Sequence, residues 1–579
     1  MEPSAIWTIV TLCIGMLIVI GGILILRLHA FLALTFAALV VAILTPTSST
    51  ENYHVSLSSI PVTSVADEHD HIQEDDGELI HQSRWNIETK EAPSSQDWQD
   101  EVWLEIVRSG ENGVLSIGRV NLETKPNDSG VFTGVVESSL LTGEELPQTG
   151  DWLIAPRDLA KCKKDAQMTV ASRVASGFGT TAGKIGILIA MASIIGKCLL
   201  DSGAADRIVR TALAKFGEKF APLSFVFSGF LLGVPVFFDT VFYLMIPLGK
   251  AMQLRTGRNY LLFVLTIVAG ATMAHSLVPP TPGPLVVAEE LGVDIGMMIL
   301  AGCCVGFFTA GFGYLYASMF ANKIWTLPLR ETSDFSLKDL EALSNREESE
   351  LPPFWLSIVP IVLPVVLIAG YSVIKSLEVE MSPTVGKIAA TLGDKNIALI
   401  ISAVIAMFTL IRSRGLSRKE LADAVGASLA SGGIIILITS AGGAFGKTLQ
   451  ATGVATLIQD LSVTSPAMII TMAWLITAAI RTAQGSATVA MMTAVGILGG
   501  LAQSGTLPFH PVYLALAIGC GSKPIAWMND SGFWVITRMS GMTEGEGLKY
   551  ITPMTTLMGV VGLVVTIAGA ILFPMVGGN

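Results

Sequence analysis

Apolar stretches of about 20 residues, the length a helix needs to cross a bilayer, recur through most of this 579-residue chain. They lie near residues 5–26, 30–45, 170–200, 221–249, 260–278, 296–321, 354–375, 395–411, 428–448, 466–480, 487–503, 511–527 and 552–575. Their number and spacing predict an all-α polytopic membrane protein with about 12–14 transmembrane segments. Composition agrees: mean hydropathy is +0.62 and 14% of residues are charged, where a soluble domain carries about 25%. Many stretches are interrupted by Gly, Pro or a charge, as in GVPVFFDTVF around Asp239. Irregular backbone survives at membrane depth only where protein buries it or a wet cavity faces it. Broken or re-entrant helices around a transport site are therefore expected. The run Ala5–Leu26 has no Lys or Arg before it and no small-residue cleavage site. It is read as a retained first span rather than a signal peptide.

The net charge of −11 is unevenly spread. Residues 51–167 hold 23 acidic and 9 basic side chains, and the remainder holds 24 and 27. The chain thus joins a slightly basic membrane body to an acidic, water-soluble insert, with no stretch basic enough for nucleic acid. The insert opens with VADEHDHIQEDDGE (65–78), read as a flexible acidic leash. Alternating runs such as VWLEIV, GVLSIGRVNLE and GVFTGVVES follow, predicting a small β-rich domain from about residue 100. Only one of six cysteines, Cys162, lies in it, which excludes a disulfide framework. His69 and His71 are read as solvated members of the leash, and no metal site is assigned. The expected domains are an N-terminal transmembrane hairpin (1–45), the insert (46–167), a first repeat (168–325), a connector with linking helices (326–425) and a second repeat (426–579).

The two repeats rest on matches at a near-constant offset. IGKCLLDSGAADRIV (195–209) lies beside AFGKTLQATGVATLI (444–458) at 250, and TPGPLVVAEELGVDIG (281–296) beside DSGFWVITRMSGMTEG (530–545) at 249. The loop 201–221 carries Arg207, Arg210, Lys215 and Lys219, while its counterpart 450–466 carries no base. The positive-inside rule then places the loops on opposite sides, so the repeats read as inverted. The same reasoning puts the insert outside, although Arg157, Lys161, Lys163 and Lys164 point the other way.

Ionisable groups at membrane depth cost at least about 2.5 kcal/mol and mark function by default. Asp239 is the only charge between Lys219 and Lys250 and could carry a proton or be tied to the backbone of a broken helix. In ATMAHSLVPPTPGP (271–284), four prolines in six positions forbid a continuous helix. His275 there is either a hydrogen-bond donor or proton relay, or a loop cap, and Thr281 sits among the prolines. In IRTAQGSATVAMM (480–492), the fork of Arg481 suits a carboxylate, with Gln484, Ser486 and Thr488 as partners for hydroxyls. Alternatively Arg481 snorkels, or pairs with Asp239 or Asp530. In SKPIAWMNDSGFW (522–534), Lys523, Asn529, Asp530 and Ser531 sit between apolar runs. No Walker-type phosphate loop and no nucleophile–base set is visible, so no cofactor or enzymatic activity is expected.

At these clusters the sequence resembles the gluconate permease family, the gluconate:proton symporters of the ion transporter superfamily. LDSGAADRIV, VPVFFDTVFYLMIPL, LVPPTPGP, LGVDIG, AQGSATVAMMT and NDSGFW carry the resemblance, which covers about residues 5–45 and 168–579. It implies proton-driven uptake of gluconate, glycerate or a related acid across the bacterial inner membrane, by a homodimer with scaffold and moving parts. In this chain Arg481 and the hairpin tips, with Thr281 and His275, would hold the carboxylate. Gln484, Ser486, Thr488, Asn529 and Ser531 would bind the rest of the substrate, and Asp239 or Asp530 would take the proton. Three departures stand out: Asp239 where the family usually has Glu, Thr281 where it usually has His, and the insert. A membrane sensor whose external insert binds a ligand on a permease-like body is the competing class.

Overall fold

The computed structural model describes residues 3–75, 78–89, 101–110, 113–123, 131–142, 145–257, 259–330, 351–377, 379, 381–454, 465–503 and 507–575. It is mostly helical, with one sheet. The helices are α1 (Pro3–Leu24), α2 (Ala30–Leu44), α3 (Thr47–Ser58), α4 (Pro156–Ala166), α5 (Val170–Asp201), α6 (Ala204–Phe216), α7 (Ala221–Gly233), α8 (Phe238–Thr256), α9 (Tyr260–Leu277) and α10 (Pro282–Glu290). They continue as α11 (Ile295–Leu315), α12 (Phe354–Ser376), α13 (Pro383–Gly393), α14 (Lys395–Arg414), α15 (Arg418–Gln450), α16 (Pro466–Gln484), α17 (Ala487–Gln503), α18 (Pro511–Gly521), α19 (Ser531–Ser540) and α20 (Glu544–Leu572). The chain forms two compact units: residues 1–15, 38–175 and 447–457 in one, and 16–37, 176–446 and 458–579 in the other.

The first unit contains the acidic insert. Its strands are β1 (Ile60–Pro61), β2 (Ser64–Asp75), β3 (Glu78–Thr89), β4 (Glu101–Gly110), β5 (Gly113–Glu123), β6 (Phe132–Glu137) and β7 (Trp152–Ile154), in one antiparallel sheet ordered β1-β7-β4-β5-β6-β3-β2. Alternate residues Ile87, Val120, Leu122 and Val136 are fully buried on one face, as the period of two requires. A bulge at Ile106/Val107 shifts the register, so two consecutive side chains are both buried. Val107 thereby packs with Val55 of α3 and Leu159 and Cys162 of α4. Arg108 grips Asp151 with Nε–Oδ1 of 2.6 Å and Nη2–Oδ2 of 2.9 Å, and the Gln148 N–H donates to the same carboxylate. Sheet structure begins at Ile60 rather than near residue 100, and the described residues of the stretch expected to be a leash lie in β2 and at the start of β3. β2 is a sheet edge, where charged residues are favoured because they block pairing with another chain. The side chains of His69 and His71 lie outside the described residues.

In the second unit the helices pack closely where side chains are absent. A Cβ on Gly270 of α9 would fall on the Val226 carbonyl of α7, the small-residue contact typical of membrane helices. Among the described residues, nine helical segments of the chain are long and apolar enough to cross a membrane, and the α2–α3 pair, bent by 104°, makes a possible tenth. The expected 12–14 is higher because several apolar stretches are divided. Helices α7, α17 and α18 have 13, 17 and 11 residues, about 17–26 Å at about 1.5 Å per residue, short of a hydrocarbon core of roughly 30 Å. Helix α8 carries Asp239, Lys250 and Arg255.

Candidate functional site

Four helix breaks converge on one place. Pro235, with no N–H to donate, lies in the break between α7 and α8, and Pro279 and Pro280 lie between α9 and α10. Gly485 ends α16 at φ +91°, a conformation that strains any L-residue with a side chain. A Cβ there would collide with the Asn529 carbonyl. Ser486 then caps α17 by accepting from Val489 N at 3.3 Å. The fourth break runs from Ser522 to Asp530, which caps α19 by accepting from Gly532 N at 2.9 Å.

The last turn of α16 would leave carbonyls without partners. The fourth break supplies them: Asn529 Nδ2 donates to Thr482 O at 2.8 Å and Trp527 Nε1 to the same oxygen at 2.9 Å. Arg481, 4% exposed, staples the assembly. Its Nε donates to Ser522 O at 3.0 Å, Nη1 to Gly485 O, and Nη2 to the Asp530 carboxylate. Pairing with Asp530 is thus the alternative realised in the structure.

These pieces enclose a cavity of about 460 Å³, within the range of small-molecule sites, roughly 300–1,000 Å³. The first turns of α8, α10, α17 and α19 all line it, so four positive helix ends face one space. Lys523, 5% exposed, reaches it from just beyond the C-terminus of α18, and its Nζ donates to Thr272 Oγ1 at 3.2 Å. His275 lies one turn further along α9. Its Nδ1 has no hydrogen-bond partner among the described residues, and its ring meets Phe237 edge-on, centroids 6.4 Å apart. Asp239 makes no hydrogen bond or ion pair among the described residues.

Of the residues singled out in the sequence, Arg481, Ser486, Thr488, Ser531, His275, Asp239 and Asp530 line this cavity. Thr281, Asn529 and Gln484 do not. The Thr281 hydroxyl donates to Val278 O at 2.7 Å and completes the proline turn, and Asn529 is occupied with the end of α16. Gln484 is 2% exposed with neither amide atom hydrogen-bonded among the described residues. The cavity also receives Thr272, Ser431, Thr439 and Lys523, to which sequence reasoning gave no role. Lys523 was legible as a charge between apolar runs, and Thr272 as a hydroxyl three residues before His275. Ser431 and Thr439, inside the long α15, carry no local signal.

The fold is that of solved transport proteins. MtrF of Neisseria gonorrhoeae, described among antimetabolite efflux pumps, superposes with a TM-score of 0.53 at 17% identity, covering 75% of this chain and 89% of its own. The YdaH transporter of Alcanivorax borkumensis superposes with 0.52 at 12% identity, covering 81% and 94%. Together with the apolar helices, this likeness defines the fold of a multi-pass helical membrane protein. Residues 163–572 match the family described as GntP family permease, and the chain belongs to that family. Among curated relatives, a gluconate permease of Pseudomonas aeruginosa is 34% identical over 394 residues, 67% of this chain and 85% of the relative. The Gnt-II system L-idonate transporter of Escherichia coli is 32% identical over 70% of this chain and 89% of its own. A low-affinity gluconate transporter of the same species is 29% identical over 68% and 87%. The protein is therefore a multi-pass transporter of the bacterial inner membrane rather than an enzyme, and almost all of the insert lies outside the family match.

Proposed function

We propose that this permease is a proton-coupled importer of gluconate or a related sugar acid or glycerate-like hydroxy acid. The carrying observation is the convergence of four helix N-termini and the buried cation Lys523 on one cavity, whose breaks Arg481 joins. Such a site selects an anion without any metal, and the relatives named as gluconate permeases supply the chemical class. Ser486, Thr488 and Ser531 offer hydroxyls to the polyol part of the substrate, and His275 a further ring nitrogen. Asp239, free of partners among the described residues, is better placed than the Arg481-bound Asp530 to take up the coupled proton. The breaks fall in two pairs, one in each half of the membrane body, which supports two inverted repeats carrying re-entrant segments that meet at the bilayer midplane. A homodimer follows from the family resemblance.

Thermal unfolding of the purified protein in detergent tests the ligand class, because a ligand that binds only the native state raises its melting temperature. Gluconate or glycerate should raise it in a concentration-dependent manner while the neutral polyol glucitol does not. Indifference to every hydroxy acid would contradict the proposal.

A further inference from the structure

We infer that Lys523, not Arg481, is the cation that meets the substrate's carboxylate, and that Arg481 is a positioning residue. The inference rests on the transport reading above and sharpens it. Both cations line the same cavity, but they are differently engaged. The charge of Arg481 is matched within the protein: it pairs with the Asp530 carboxylate, and three of its five N–H groups donate, to Ser522 O, Gly485 O and that carboxylate. Those acceptors belong to the two breaks that shape the cavity, so withdrawing Arg481 to hold a ligand would leave a carboxylate and two carbonyls unpaired.

Lys523 has no such duties. Its ammonium carries three donors, and among the described residues it makes one hydrogen bond, to Thr272 Oγ1 at 3.2 Å. It is almost wholly buried yet lines the cavity, so an incoming anion is the partner its remaining donors lack. The end of α18 holds it there, where the negative end of the helix dipole favours a cation.

Charge balance gives the arrangement a use. Among the described residues, the titratable or charged groups facing the cavity are Asp239, His275, Arg481, Lys523 and Asp530. Arg481 and Asp530 cancel as an ion pair, which leaves Lys523 and Asp239, with His275 beside them. A bound carboxylate adds one negative charge to this set, and protonation of Asp239 removes one. Anion and proton entering together leave the cavity no more charged than before, whereas either alone leaves an unbalanced charge in a low-dielectric space.

Calorimetric titration of the full-length protein in detergent, using gluconate and its neutral amide, separates the two cations. Lys523→Gln should weaken gluconate binding by about 30-fold or more, as loss of a charged hydrogen bond implies. The same variant should leave the amide's affinity within about threefold of wild type, and Lys523→Arg should recover part of the loss. Arg481→Lys should lower the melting temperature while the folded protein keeps gluconate affinity within about threefold. Unchanged gluconate binding by Lys523→Gln, or equal loss of acid and amide, overturns the assignment. If Arg481→Lys loses the acid alone, the carboxylate belongs to Arg481. A wild-type protein that binds no hydroxy acid overturns the transport reading and this assignment with it.

Discussion

Gly485 shows how a single residue fixes the site. Its φ of +91° turns the chain out of α16, and the space where a side chain would stand is filled by the carbonyl of Asn529. Gly485→Ala adds about 1–2 kcal/mol of backbone strain and a steric conflict with that carbonyl. A fall in melting temperature together with loss of hydroxy-acid binding is the expected outcome; a stable, fully binding variant would show that the break tolerates other geometries. Arg481 illustrates what sequence could and could not decide. Its residue type and apolar surroundings marked it as important, but a ligand carboxylate, a protein carboxylate and a snorkelling position were all open. The choice was made by Asp530, 49 residues away, and by the Ser522 carbonyl, 41 away, and no local pattern encodes such distances. Lys523 was named as a charge between apolar runs but given no role, because only the fold shows that it is buried against the cavity.

At the level of elements, two of the four breaks were legible. Prolines and a charge within apolar runs have direct conformational consequences, and the breaks around Asp239 and at the 279–284 prolines formed where those signals stood, while the breaks at Gly485 and at 522–530 read in the sequence only as polar clusters between apolar runs. Span number was less legible, because an apolar run does not reveal whether one helix or two short ones will use it. The insert gave a similar lesson. Alternation in VWLEIV and GVLSIGRVNLE announced β4 and β5, but the acidic β2 lacks that pattern, and its strand character comes from pairing with β3. The loop before β7 is held by the pair Arg108–Asp151, whose carboxylate side chain is 2% exposed and whose guanidinium is 25% exposed. Breaking a fully buried pair costs about 3–5 kcal/mol; partial solvation of Arg108 reduces this to roughly 2 kcal/mol. Arg108→Met should accordingly speed limited proteolysis of the insert in the full-length protein without altering hydroxy-acid binding. Unchanged proteolysis would remove this pair from the insert's stabilising contacts.

For the molecule as a whole, the net charge of −11 describes one part only, since the acidic excess sits in residues 51–167 and the membrane body is mildly basic. The family match, residues 163–572, covers the body that follows the insert and leaves almost all of the insert aside. Transport is therefore assigned to the body, and a protein lacking residues 50–165 should retain flux, whereas a ligand-sensing receptor would lose its response. The central claim, proton-coupled uptake of a hydroxy acid, is tested most directly in proteoliposomes given labelled gluconate under an imposed pH gradient. Accumulation inside vesicles that are alkaline within, abolished when a protonophore collapses the gradient, is the predicted result. Uptake that ignores the gradient, or no uptake of any hydroxy acid by protein that is demonstrably folded, would contradict it.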